Sequence, residues 1–226
     1  MEIQSQIDTL LASTDQVNDS KLFQRALEYI LAVGNYMNGS TPRGAAYGFK
    51  LDTLVKLHTI KSVDARIHLM HYLARHLQNN ETSVVKFASE LRHVSTAKRI
   101  SLRQLQIDIK NYSTELNMLQ GQVRACTNEK EKNPDDLFLD IMGPFSTEAA
   151  EIMSELKRDL SNLEASYADL VTSFGEDPRK MGTEDFFSTL TNFIDEFQVI
   201  FLYNCYVIVI NIMGSELIDK IKRKLM

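Results

Sequence analysis

LRQLQIDIKNYSTELNMLQGQV (residues 102–123) and AAEIMSELKRDLSNLEASYADLVTSF (residues 149–174) carry the most regular pattern in the chain. In the first, Leu102, Leu105, Ile109, Tyr112, Leu116, Leu119 and Val123 alternate steps of three and four residues. In the second, Ala149, Met153, Leu156, Leu160, Leu163, Tyr167, Leu170 and Phe174 do the same. Apolar residues at this alternation line one face of an α-helix and make a seam for another helix. Between the two stretches, NEKEKNPDD is charged and contains Pro134, which breaks the pattern and predicts a loop. Two long helices joined this way most simply lie antiparallel. The expectation is an all-α fold: an elongated helical bundle with a globular part and a long antiparallel, coiled-coil-like helix pair.

The flanking sequence is helical as well. FGEDPRKMG ends the second heptad stretch, with Gly175 as an expected C-terminal stop and Pro178 beyond it. Thr183 is an expected N-cap for a helix carrying Phe186, Phe187, Leu190, Phe193, Ile194 and Phe197. Upstream, Phe23, Leu27, Ile30 and Leu31 form one stripe, and Leu51, Leu54, Val55 and Leu57 predict a short helix. Asp64 is an expected cap for the helix holding Met70, Leu73, Ala74 and Leu77. Between these lies GNYMNGSTPRGAAYGF (residues 34–49), whose Gly34, Gly39, Gly44, Gly48 and Pro42 predict a long, structured loop.

Composition narrows the functional classes. With 9 Gly and 4 Pro in 226 residues, the chain is poor in the turn residues an all-β fold needs. Two cysteines, Cys126 and Cys205, make neither a disulfide framework nor a zinc site. The polar start MEIQSQIDTL lacks a signal-peptide core, so a reduced, cytoplasmic protein is expected. The net charge of −5 conceals a local excess. Residues 41–110 hold 12 Lys or Arg against 5 Asp or Glu, a charge of +7, which leaves −12 for the rest. A basic segment of this kind suits an acidic partner. Its positives are dispersed rather than interleaved with aromatics, which favours an acidic protein surface over nucleic acid.

No catalytic constellation emerges. His68 and His71 stand at i, i+3 on an expected helix, but no further ligand completes a metal site. Cys126 has no histidine partner, and Asp135–Asp136 and Asp195–Glu196 read as solvated charges. The expectation is a non-enzymatic protein without metal or cofactor. The GNYMN segment admits two readings: a helix terminus closed over a buried Tyr36 and Met37, or the lining of a pocket.

The string LEYILAVGNYMNGSTPRGAAYGFKLDTLVKL, followed by IKSVDARIHLMHYL, resembles the signature stretch of the formin homology 2 domain. The resemblance continues through FASELRHVSTAKRISLRQL and the heptad helices to GEDPRKMGTEDFFSTLTNFIDEF, so it covers roughly residues 1–197. It implies a part of an actin nucleation and barbed-end elongation factor of the cytoplasmic actin cytoskeleton, with a post at about 1–100, coiled-coil helices at about 100–175 and a terminal helix at 183–197. In that family an N-terminal lasso of each chain wraps the post of the other to make a dimer. Carried over, Gly34, Asn35, Tyr36, Met37 and Asn38, with Gly48 and Phe49, become the lasso-receiving surface. Lys61 becomes the actin contact, with Lys50 and Lys56 as supporting charges.

Two departures qualify that inheritance. The family domain extends further at its N-terminus, so lasso, linker and most of the knob are expected to be absent here, and nucleation by this chain alone is not expected. Residues 197–215 (FQVIFLYNCYVIVINIMGS) carry no charge and are followed by Lys220, Lys222, Arg223 and Lys224. Three readings of this tail, residues 198–226, stay open: a divergent C-terminus prone to strand formation, a membrane anchor, or a helix buried on the rod. The alternative function is a helical scaffold that does not bind actin, or a dominant-negative formin fragment, held at a membrane by that tail.

Overall fold

Heptad spacing obliges each long helix to find a neighbour, and the packing follows from how far each seam is covered. The computed structural model describes residues 2–61, 67–128 and 136–225, with side chains through residue 207 and at residue 210. In chain order the helices are α1 (Glu2–Asp19), α2 (Lys21–Met37), α3 (Asp52–Lys56), α4 (Leu69–Asn80), α5 (Phe87–Glu90), α6 (Val94–Ala97), α7 (Leu102–Asn128), α8 (Phe138–Ser173) and α9 (Thr183–Leu225). Among the described residues there is no strand, only an isolated antiparallel bridge between Lys61 and His68. The fold is all-α.

The heptad helices run antiparallel. Gln106 of α7 donates to Glu164 of α8 at 2.7 Å, and one heptad further Lys157 donates to Ser113 at 2.6 Å. Partner numbers fall on one helix as they rise on the other. Only the base of the seam is sealed: Leu105, Ile109, Leu163, Tyr167 and Leu170 are buried, whereas Tyr112 is half exposed. Two helices alone cannot cover each other's apolar stripe, and the base is closed by a third. That third helix is α1, whose Gln4 donates to Asp159 of α8 at 3.0 Å. Its Ile7 and Leu10 are fully buried, and near its far end Gln16 accepts from the His93 N–H at 3.0 Å. Helix α1 thus spans from the globular part onto the rod.

Local chemistry explains several termini. Gly175 has φ 70°, and its N–H reaches the Thr172 carbonyl at 2.9 Å while Glu176 N–H reaches that of Val171 at 3.2 Å. This paired arrangement closes α8 in the left-handed conformation that glycine adopts without strain. Thr183 does not cap its own helix. Its buried Oγ1 donates to the Ile100 carbonyl at 2.7 Å and accepts from Leu102 N–H at 3.0 Å, so it satisfies the start of α7. His68, not Asp64, is the N-cap of α4, and Asp64 lies outside the described residues, as does most of the expected loop between α7 and α8. Helix α2 continues through Gly34–Met37, residues expected to open the loop.

Helix α9 joins the rod to the globular part. Phe186 and Phe187 meet Tyr167 and Phe174 of the rod, the Phe174–Phe186 centroids lying 5.3 Å apart. Phe193 and Phe197 meet Phe87, the Phe87–Phe197 centroids lying 4.9 Å apart, and Phe193 also meets Phe23. Phe186, Phe187, Phe193 and Phe197 are all buried. The helix expected to end at 197 carries on to Leu225, a run of 43 residues, or about 65 Å at the helical rise. Among the described residues no helix is long and apolar enough to cross a membrane.

Replacing Thr183 by Val leaves a buried carbonyl and N–H unpaired and should lower unfolding stability by about 1–3 kcal/mol. Thr183→Ser, which keeps the hydroxyl, should lose much less; urea unfolding of both variants measures the difference.

Candidate functional site

The last turn of α2 and the loop after it are built by two asparagines. Asn38 directs both its N–H and its Nδ2 to the Gly34 carbonyl, at 3.0 and 2.8 Å, which closes the helix. Asn35 pairs with the backbone of Ala46 as a strand neighbour would: Oδ1 accepts the Ala46 N–H at 2.7 Å, and Nδ2 donates to its carbonyl at 2.9 Å. The loop is thereby folded back against the helix end. The close approach requires glycine at 44, where a Cβ would stand 2.7 Å from the Asn38 carbonyl oxygen. Neighbouring Ala45 has φ 57°, a strained value for a residue with a side chain.

This polar closure leaves the large side chains outside. Tyr36 is 90% exposed, Tyr47 is fully exposed and Met37 is half exposed. The reading of a helix end over a buried Tyr36 and Met37 is therefore wrong, because Asn35 and Asn38 do the closing and the apolar groups face solvent. Phe49 turns inward and, with Gly48, borders a groove of about 380 Å3 between α1, α2 and the end of α8, lined also by Val17, Phe23, Leu27 and Phe174. Tyr47 and the Asn35–Ala46 pairing escaped the sequence reading. The only local signal was the density of Gly and Asn.

The lysines lie on the next segment. Leu51, Leu54 and Leu57 are buried and hold α3 against α9, which leaves Lys50, Lys56 and Lys61 exposed. Lys56 is tied to Asp52 at 2.6 Å, so part of its charge is already answered. His58 Nδ1 lies 3.5 Å from Glu196 of α9. Lys61 is set by its bridge to His68 and by Leu69 N–H donating to the Ile60 carbonyl at 2.8 Å. Among the described residues, no hydrogen bond or ion pair joins the lysines to the 34–38 turn; Phe49 and Lys50 connect the two groups only through the chain.

Two electrostatic features stiffen this region. Arg25 reaches Glu81 through Nε and Nη2 at 3.2 and 2.8 Å, and Tyr29 donates to the same carboxylate at 2.7 Å. The Arg25 and Tyr29 bonds hold the Glu81 carboxyl down to about 2, which fastens α2 to the end of α4. At the start of α4, His68 N–H donates to His71 Nδ1 at 3.4 Å. Burial and the neighbouring His68 lower the His71 pKa, so the neutral ring that can accept this bond is favoured. Among the described residues, no cluster of three or more His, Cys, Asp or Glu side chains could hold a metal ion.

Residues 1–198 match the family profile of the Formin Homology 2 Domain. The chain belongs to the formin homology 2 family. It is 33% identical over 197 residues to Formin-A of Dictyostelium discoideum, covering 87% of this chain and 16% of that protein. It is 32% identical over 194 residues to Protein diaphanous of Drosophila melanogaster, covering 83% and 17% respectively. With Disheveled-associated activator of morphogenesis 2 of Homo sapiens the identity is 30% over 198 residues, covering 87% and 18%. The chain thus spans less than a fifth of the length of these relatives. Within this formin homology 2 domain, both the asparagine-pinned turn and the lysine segment lie inside the matched region, and α9 runs on past its end.

Gly44→Ala should lower stability and speed proteolytic cleavage within residues 39–48, since backbone has to move to admit the methyl group. A Cβ at Gly34 meets nothing, so Gly34→Ala should raise stability by about 0.5–1 kcal/mol through helix propensity. Thermal or urea unfolding compares the two.

The His71 contribution has a defined sign. Its pKa falls on folding, so the stabilisation is complete above the ordinary histidine value of about 6.5 and is lost as pH falls below it. The melting temperature should drop between about pH 7.5 and pH 5, and His71→Ala should flatten that drop.

Proposed function

We propose that this chain is the actin-binding module of a formin-type nucleation and barbed-end elongation factor, acting on the cytoplasmic actin cytoskeleton. Its parts would be a post over about residues 1–100, coiled-coil helices over about 100–175 and a terminal helix beginning at 183. Family membership supports the actin assignment. One observation carries the division of labour: a rigid turn that presents Tyr36, Met37 and Tyr47 to solvent sits one residue pair away in the chain from a segment of exposed lysines.

The apolar side suits a partner segment. Exposed tyrosines on a pinned backbone bring large contact area at small entropic cost, and the groove beside Gly48 and Phe49 can take an inserted side chain. We assign this side, Gly34–Asn38 with Gly48 and Phe49, to the lasso of a second formin homology 2 chain. The basic side suits actin. Lys61 is the principal contact, Lys50 adds a charge with no salt-bridge partner among the described residues, and Lys56 contributes less because Asp52 competes for it. Such surface charges act on orientation and association rate more than on raw affinity.

Co-sedimentation with actin filaments tests the assignment. Lys61→Asp should weaken pelleting at low salt by about tenfold, and wild-type binding should fall as salt rises. Equal pelleting of both proteins would remove Lys61 from the actin surface, and no pelleting of either would favour a scaffold that has lost actin contact. Replacing Tyr36 and Tyr47 by Ala should leave filament binding intact while weakening capture of a separately supplied formin homology 2 lasso segment.

A further inference from the structure

Past Phe197, α9 is covered on one face only. Phe201 stacks on Phe197 with centroids 6.5 Å apart, Ile200 packs against the core, and Cys205 Sγ accepts from Gln78 of α4 at 3.2 Å. The other face carries Val199, Leu202, Tyr203, Tyr206 and Ile210, between 48% and 67% exposed. A helix that is apolar all round needs cover all round. Val199, Tyr203, Tyr206 and Ile210 step by four, three and four residues, the alternation of a helix–helix seam, and Met213 and Leu217 keep the spacing in the sequence.

We propose that this outer face pairs, antiparallel, with the same face of a second copy of the chain. Charge chooses both the partner and the direction. Asp195 and Glu196 precede the apolar run, and Lys220, Lys222, Arg223 and Lys224 follow it. A two-fold axis near positions 209–210 brings positions 195–196 of one copy level with 223–224 of the other, acidic against basic. A parallel pair would set both basic clusters side by side. A self-complementary seam of this kind makes a closed two-fold interface. The area is sufficient: five apolar side chains at about half to two-thirds exposure leave on the order of 600 Å2 per copy, or roughly 1,200 Å2 for the pair, the lower bound of a specific interface. This contact is separate from the Tyr36–Tyr47 surface and does not depend on the function proposed for it.

Sedimentation of the full chain from about 1 to 100 μM should show a monomer–dimer equilibrium that weakens with salt. Leu202→Glu combined with Tyr206→Glu should weaken association by more than about tenfold, while Met118→Ala, at an exposed position on α7, leaves it unchanged. Both glutamate sites are exposed, so circular dichroism should show unaltered helix content and melting. Cross-linking reads the direction. With Cys126 and Cys205 replaced by Ser, Ile210→Cys should oxidise readily to a disulfide dimer because it faces itself near the axis, and Tyr203→Cys should not. A chain that stays monomeric throughout overturns the proposal. So do association indifferent to the glutamates, absence of the Ile210→Cys cross-link, equal cross-linking at both positions, or vesicle binding without self-association.

Discussion

The row of phenylalanines on α9 is the contact on which the rest depends. Phe186 and Phe187 close against Tyr167 and Phe174 at the base of the rod, and about two to three turns on Phe193 and Phe197 close against Phe23 and Phe87. A single helix therefore sets the angle between two bodies that α1 also bridges. Tilted and edge-on ring pairs add direction to what would be a non-directional apolar contact. The buried Thr183 hydroxyl, bridging the start of α7, sets where along the rod that helix begins.

The candidate site inherits its rigidity from this frame. Helix α2 is held through Phe23 in the same aromatic cluster and through Arg25 and Tyr29 to the end of α4. Its last turn can then expose large apolar groups without collapsing, because the backbone polar groups there are satisfied by Asn35 and Asn38. Exposure of Tyr36 and Tyr47 is stable only because the loop is pinned. An unpinned loop would fold those rings onto the nearest apolar surface. The lysine segment is held the same way, by three buried leucines and a contact to α9.

Much of this was legible residue by residue. The three–four alternation of α7 and α8 specified helices and an antiparallel pairing, and Gly175 marked its helix end, since both features depend on near neighbours in the chain. The site residues could be quoted from a motif, yet their exposure could not. Asn35 reaches Ala46 eleven residues away, and nothing in GNYMN states that partner. Thr183 resembled an N-cap because threonine before an acidic turn usually is one, but its hydroxyl met the 100–102 backbone instead. The uncharged tail suggested strand from its valines and isoleucines, whereas packing of Phe201 and Cys205 on the globular part carries the helix onward.

The helical class, the heptad seams, the membership signature and the stop of α8 at Gly175 follow from the chain alone, because spacing and backbone preference act over a few residues. Which apolar groups are covered depends instead on tertiary contacts. Those contacts pack Phe49 against the core and leave Tyr36, Tyr47 and the outer face of α9 in solvent. Burial is a property of a surface and its neighbour together, and the neighbour is chosen by contacts between residues far apart in the chain.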